Sequence, residues 1–271
     1  MENVLDLLGL STILIIFGVP RAGKTCLMSH IANEAMYDYD RIRAMQAEVE
    51  WLNEKGFNLK IPPNVVSANY DIQGYKYLCS TRRNRRINPY RLGVKEYAPQ
   101  NANLHLDVPY GVYCIQEGQR YLNSRKSANY PDWQSRWYET LGHNHMNVIL
   151  DCQRPDLIDK NVRELAYFLE IRSLEVKTNR FGDVRGQVWD VRKIPNAQQL
   201  DVYLQSGRRD EECFESDVIE TNYNVFNIYN SYSCKARFYK GREKESFEFY
   251  ADVEDELPTW FYAPEKGTKK C

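Results

Sequence analysis

The chain has no C-x-x-C pair and no cluster of cysteines. Its seven, at positions 26, 79, 114, 152, 213, 234 and 271, are odd in number and widely spaced. That pattern excludes a disulfide framework or a zinc ribbon and fits reduced thiols in a cytosol. Long apolar runs are missing too: no uncharged stretch exceeds 14 residues, and the apolar one of that length, residues 7–20, holds two glycines and a proline. A membrane-spanning helix needs about 20 apolar residues, so this stretch reads as buried strand. Its acidic flank, Glu2 and Asp6, lacks the positive region that opens a secretion signal. Internal repeats and low-complexity linkers are also absent. Net charge is close to nil, 36 basic against 37 acidic side chains for a sum of −1, so the total marks neither a nucleic-acid binder nor an acidic tail.

What is present is a chain of 271 residues, 43% hydrophobic, enough for one large domain or two small ones with a real core. Its charge is segregated. Residues 76–95 carry seven cations (Lys76, Arg82, Arg83, Arg85, Arg86, Arg91 and Lys95) and no acid. Residues 210–220 carry six acids and no base, and residues 243–256 are acidic again.

Residues 11–17, STILIIF, form a short β-branched apolar run that predicts a strand buried on both faces. A helical pattern starts near Lys24 and continues through Ile42, Met45, Val49 and Leu52 to Gly56. Further strands are expected at residues 65–72, 112–115 and 147–150, with a helical stretch containing Trp133, Trp137 and Tyr138 before the last of them. Alternation of strand and helix predicts an α/β fold with a parallel sheet covered by helices on both faces. Residues 168–177 and 184–194 flank Gly182 and read as a long hairpin. Beyond Pro195 the pattern weakens. The expected organisation is a P-loop domain over residues 1–200, with an irregular basic insertion at 74–108, and a C-terminal extension over 201–271.

The segment GVPRAGKT, residues 18–25, fits G-x-x-x-x-G-K-[ST] and lies between the buried strand and the helix, the context this motif requires. Glycines let backbone N–H groups curl around an anion, and the helix N-terminus adds its positive end. Gly18, Pro20, Arg21, Ala22, Gly23, Lys24, Thr25 and Cys26 are therefore the expected nucleotide-binding residues. Lys24 would hold the β- and γ-phosphates of ATP, and the Thr25 hydroxyl would ligate Mg2+. A guanine-reading N-K-x-D is absent, which argues against a GTPase, while the Arg82–Arg86 cluster leaves a kinase lid open as a third option. The strand at 112–115 ends in Gln116-Glu117, and a carboxylate just past a strand tip is where ATPases of the additional-strand class (ASCE, RecA-like) keep the base that orients water. Glu117 is the candidate for that role. After the strand at 147–150 comes Asp151-Cys152-Gln153-Arg154-Pro155. Gln153, both donor and acceptor, suits a γ-phosphate sensor, with strand-end capping by Asp151 and Gln153 as the alternative.

With GVPRAGKT, NVVSANYDI, VYCIQEGQRYL and HNHMNVILDCQRPDLIDKNVREL in place, residues 11–233 resemble the zonular occludens toxin (Zot) domain family, assembly ATPases of filamentous phages within the FtsK/HerA branch. The resemblance implies an ATP-driven motor that moves single-stranded phage DNA during virion assembly, or a packaging relative, acting in the bacterial cytoplasm or recruited by a partner to the inner membrane. It also implies a homo-oligomeric ring, a hexamer, that meets virion or assembly proteins. Nothing in the residues carries over the toxin activity in the family's name.

There are two departures. The Walker B aspartate position is Gln116, which has no charge for the magnesium shell, so either hydrolysis is slow or Asp151 supplies the charge. The second is the lack of a membrane helix, which gives weight to a packaging motor. An alternative of another class is a nucleotide-switched assembly scaffold with weak hydrolysis.

Arg82, Arg83, Arg85 and Arg86, with Tyr75, Tyr77 and Tyr90, suit a surface that tracks single-stranded DNA and stacks its bases. A solvated loop, or a contact with an acidic neighbour, explains them equally well. A ring ATPase needs an arginine finger in trans, and Arg154 and Arg163 are the candidates beside ordinary surface ion pairing. His143 and His145 have no third ligand at metal spacing.

Overall fold

The computed structural model describes residues 4–56, 66–68, 70–72, 110–120, 122–125, 138–139 and 141–230. The basic insertion at 74–108 with its four candidate DNA-binding arginines, Trp133 and Trp137, and the acidic segment at 243–256 lie outside the described residues.

Strand β1 (Ile13–Phe17) is buried at every position, because alternate side chains enter two different cores. Leu14 and Ile16 point to one face, where they meet α1 (Asp6–Leu10), α2 (Lys24–Met36) and α3 (Tyr39–Glu54). Ile13, Ile15 and Phe17 point to the other, which holds Val162 of α4 (Lys160–Glu164) and Leu200 and Tyr203 of α5 (Ala197–Gln205). A continuous apolar run, rather than an alternating one, is the pattern of a central parallel strand.

Around β1 the sheet adds β2 (Val66–Ala68), β4 (Val112–Ile115), β5 (Asn147–Cys152), β6 (Ala166–Thr178), β7 (Val184–Ile194) and β8 (Glu215–Glu220), in the order β2-β4-β5-β1-β6-β7-β8. The five strands from β2 to β6 are parallel, and β6, β7 and β8 pair antiparallel. This is an α/β P-loop NTPase sheet: β5 is inserted between the loop-bearing β1 and the acid-bearing β4, as in the additional-strand class. The predicted hairpin is β6–β7, and it continues the main sheet because β6 pairs with β1.

Three expectations change. The long helix expected from Lys24 to Gly56 is two helices, α2 and α3. Asp38 stops the first run by taking an extended conformation and accepting from the N–H groups of Asp40 (3.1 Å) and Arg41 (3.3 Å), the N-cap of α3. The strand expected at residues 65–72 is split: β2 joins the main sheet, while β3 (Asp71–Ile72) turns away to pair antiparallel with β9 (Tyr229–Asn230). After Pro195, where periodicity fades, the chain forms α5 and then β8. Asn196 caps α5 by accepting from Gln199 N at 2.9 Å. β8 is half exposed at the sheet edge, so its ESDVIE sequence has no apolar alternation to read.

Candidate nucleotide site

The loop between β1 and α2 contains the residues that the motif named. Gly18 and Gly23 both have positive φ, at 152° and 85°. A Cβ on Gly18 would lie 2.8 Å from the carbonyl oxygen of Ile171, and one on Gly23 would lie 2.6 Å from Leu174 Cδ2 and 3.1 Å from Trp189 Nε1. Both positions need glycine because β6 and β7 press on the back of the loop. Lys24 Nζ folds over the front and donates to the carbonyls of Gly18 (3.1 Å) and Val19 (3.0 Å). It therefore stands above the ring of backbone groups that would receive phosphates. Val19, Pro20 and Arg21 are exposed, while Ala22 and Cys26 are buried. Cys26 faces the core of the sheet, where burial pushes its thiol up to about 12, so only its backbone is available to a ligand.

Thr25, in the first turn of α2, is where three strand tips converge. Its hydroxyl donates to Asp151 Oδ2 at 2.6 Å, and Gln116 Nε2 donates to the Thr25 hydroxyl oxygen at 3.4 Å. Register explains the meeting: Ile115 of β4 pairs with Leu150 of β5, so Gln116 and Asp151 are side by side, and β5 pairs directly with β1. Asp151 is 2% exposed and Gln116 4%. Burial raises the Asp151 carboxyl to about 6, while the Thr25 hydroxyl and the Glu117 N–H pull it back. Both of those donors favour its ionised form. Its Oδ1 accepts from Glu117 N at 2.5 Å. That bond coincides with a φ of 58° at Glu117, a left-handed conformation that costs a non-glycine residue about 1 kcal/mol or more. The Glu117 side chain accepts from Gln119 Nε2 at 2.6 Å and faces Arg120 at 3.9 Å.

Threonine hydroxyl, carboxylate, amide and a second carboxylate are the oxygen-rich set that suits a hard divalent cation beside phosphate. With its O–H directed at Asp151 and one lone pair facing Gln116 Nε2, the Thr25 oxygen keeps a lone pair for such an ion. No group of three or more His, Cys, Asp or Glu side chains is placed to hold a metal by itself among the described residues. A cation here would therefore depend on the hydroxyl and on the nucleotide's own phosphates.

Gln153 and Arg154 follow β5 and are exposed. The Arg154 guanidinium is held by Asp156 at 2.6 and 3.1 Å, on the surface and clear of the Thr25 cluster's contacts. Arg163 is mostly buried and faces Asp201 of α5 in the same chain at 3.7 Å, which weakens its candidacy as a finger in trans. His145 stacks on Tyr110, with ring centroids 4.8 Å apart. Tyr138 is buried in the second core.

Two supports of the loop escape a sequence reading. Glu170, opposite Phe17 in the β1–β6 register, is 1% exposed; it accepts from Tyr203 Oη at 2.5 Å and Arg208 Nη1 at 2.7 Å. Its partners are 33 and 38 residues away, so no local motif announces it. On the other face of the loop, Trp189 stacks on His30 of α2 with centroids 5.9 Å apart and planes 4° apart. His30 Nδ1 lies 2.8 Å from Tyr223 Oη, which also accepts from Asn33 and donates to Glu34.

Burial drives the His30 pKa down to about 4 despite Glu34 nearby. The unfolded chain takes up this proton near 6.5 and the folded chain only near 4, so acidification between those values favours unfolding. In urea melts at about pH 4.5 and pH 7, His30→Gln should gain on the wild type by about 2–3 kcal/mol as pH falls. Asp151 titrates in the opposite sense, but it is common to both chains and cancels in the difference. An unchanged gap between the two chains at the two pH values would show that His30 is not buried neutral.

No family model matches the chain, and no curated protein does. Among solved structures, the chain is similar to the N-terminal domain of zonular occludens toxin from Neisseria meningitidis, at 19% identity over 81% of this chain and 99% of that one, with a TM-score of 0.44. It is also similar to B204, the DNA-packaging ATPase from Sulfolobus Turreted Icosahedral Virus, at 15% identity over 63% of this chain and 78% of that one, TM-score 0.33. A third likeness is to the genome packaging NTPase B204 from Sulfolobus turreted icosahedral virus 2 in complex with ATP-gammaS, at 13% identity over 67% and 80% of the two chains, TM-score 0.34. The first of these structures comes from the family that the loop, the strand-plus-acid segment and the Gln-Arg-Pro segment resemble.

Proposed function

We propose that the chain is a magnesium-dependent ATPase that works as a homo-oligomeric ring, a hexamer, to move phage DNA during virion assembly or packaging. The observation that carries the nucleotide half is the Thr25 hydroxyl, bound to Asp151 at 2.6 Å at the mouth of a glycine loop over which Lys24 already folds. When bound, magnesium would draw charge from the terminal phosphates. The chain's own residues do the rest. Backbone N–H groups of residues 18–26 cradle the anion, Lys24 leaves its loop carbonyls for the phosphates, and Thr25 offers a lone pair to the ion. Glu117, fixed at its backbone by Asp151 and at its carboxylate by Gln119, orients the attacking water. Gln153, exposed beyond β5, would report on the γ-phosphate, and Arg154, also exposed, would exchange Asp156 for the phosphate of a neighbouring subunit.

The DNA half rests on sequence. Arg82, Arg83, Arg85 and Arg86 with interleaved tyrosines would grip a phosphate backbone, and the acids at 210–220, which run into edge strand β8, and at 243–256 would balance them. A near-zero total charge then suits a grip that must be released at each step. Among the described residues no helix is long and apolar enough to cross a membrane.

Phosphate release with no DNA, single-stranded DNA and double-stranded DNA tests the reading. Turnover stimulated by DNA, with one form favoured, is the expected result. ATP binding with neither hydrolysis nor any response to DNA would overturn the motor in favour of a nucleotide-switched scaffold.

A further inference from the structure

The chemistry at Thr25 has been moved from one strand to the next. At the tip of β4, where a carboxylate would face the magnesium shell, the chain has the neutral Gln116. At the tip of the neighbouring β5, Asp151 is fully enclosed, and both of its oxygens are committed: one to the hydroxyl of Thr25 at 2.6 Å, the other to the Glu117 N–H at 2.5 Å. A buried carboxylate is costly unless it is compensated, and here the two bonds connect the phosphate loop to the segment that carries the water-orienting acid. Gln116 and Asp151 approach the same Thr25 oxygen from adjacent strands. Two carboxylates in that space would repel, and one would hold a proton. The neutral residue at 116 is thus the complement of the charged residue at 151.

We propose that Asp151 is the positioning carboxylate for magnesium in this chain: it orients the Thr25 hydroxyl and supplies the negative charge that β4 lacks. The substitution at 116 is then one half of a transposition. This rests on the nucleotide-binding reading above, and it predicts a protein whose use of magnesium is intact rather than weakened.

The test uses the full chain and a fluorescent ATP analogue, titrated in Mg2+ and again in EDTA. The ratio of the two affinities is the magnesium gain, a quantity that general damage to the fold does not selectively change. Asp151→Asn should reduce the gain by about 10- to 100-fold. Gln116→Asp alone should not raise the gain, because a second acid beside Asp151 stays protonated or repels. The double variant with Gln116→Asp and Asp151→Asn, which moves the charge back to β4, should recover most of it. A gain that persists in Asp151→Asn, or that rises in Gln116→Asp, overturns the proposal. The second of these reads out even if Asp151→Asn does not fold, since it leaves Asp151 in place. A wild-type chain that binds no nucleotide in either buffer would instead overturn the ATPase reading itself.

Discussion

Glu117→Gln is expected to lower ATP turnover by about 100- to 10,000-fold while leaving nucleotide affinity close to wild type. The glutamate lies one residue past β4, in a left-handed conformation that its own N–H, bonded to Asp151, helps to hold. Glutamine is nearly isosteric, keeps that backbone bond, and can still accept from Gln119. What it lacks is the negative charge that a water-orienting base requires. Lys24→Ala is the useful contrast. Its ammonium bonds loop carbonyls that a phosphate would replace, so its removal should weaken binding and turnover together. Phosphate release and equilibrium binding, measured on both variants, separate the roles. Turnover in Glu117→Gln within a few-fold of wild type would reduce Glu117 to a strand-end residue held by Gln119 and Arg120.

Trp189→Ala should cost about 3–5 kcal/mol in urea unfolding and loosen ATP binding as well. The indole is fully buried on β7, stacked on His30, and its Nε1 is one of the atoms that a side chain on Gly23 would strike. Truncation would therefore open a cavity directly behind the phosphate loop, and the loop's backbone would lose the wall that holds its left-handed glycine. The Nε1–H has no hydrogen-bond partner among the described residues. Trp189→Phe, which keeps a ring but removes an unsatisfied donor, should therefore cost much less than alanine. A change within about 0.5 kcal/mol for alanine would be the behaviour of a surface site and would contradict this packing.

Legibility in the sequence followed the range of the interaction. The β1 strand, its loop and the start of α2 are contiguous, and each signal, five apolar residues followed by Gly18, Gly23, Lys24 and Thr25, acts within a few residues of itself. The β6–β7 hairpin was equally visible because a turn at Gly182 separates two strand-length runs of mixed apolar and polar residues. The division between α2 and α3 was available in principle: Asp38, two residues before Asp40, is an N-cap signal, but the apolar spacing runs across it without a break. Edge strand β8 was hidden because an acidic, half-exposed strand has little hydrophobic alternation.

The sequence by itself determined that this protein has a phosphate loop on a buried strand, and that acids follow the tips of two further strands. Those features are written in local backbone requirements: glycine where φ is positive, apolar runs where both faces are covered. Only the tertiary structure decided which acid faces Thr25. Strand order placed β5, not β4, against β1, and so brought Asp151 to 2.6 Å from the hydroxyl while Gln116 stands one strand further out. Tertiary structure also set Trp189, His30 and Glu170 around the loop. Pairing between strands far apart in the chain depends on how the whole core is filled, and no window of sequence contains that information.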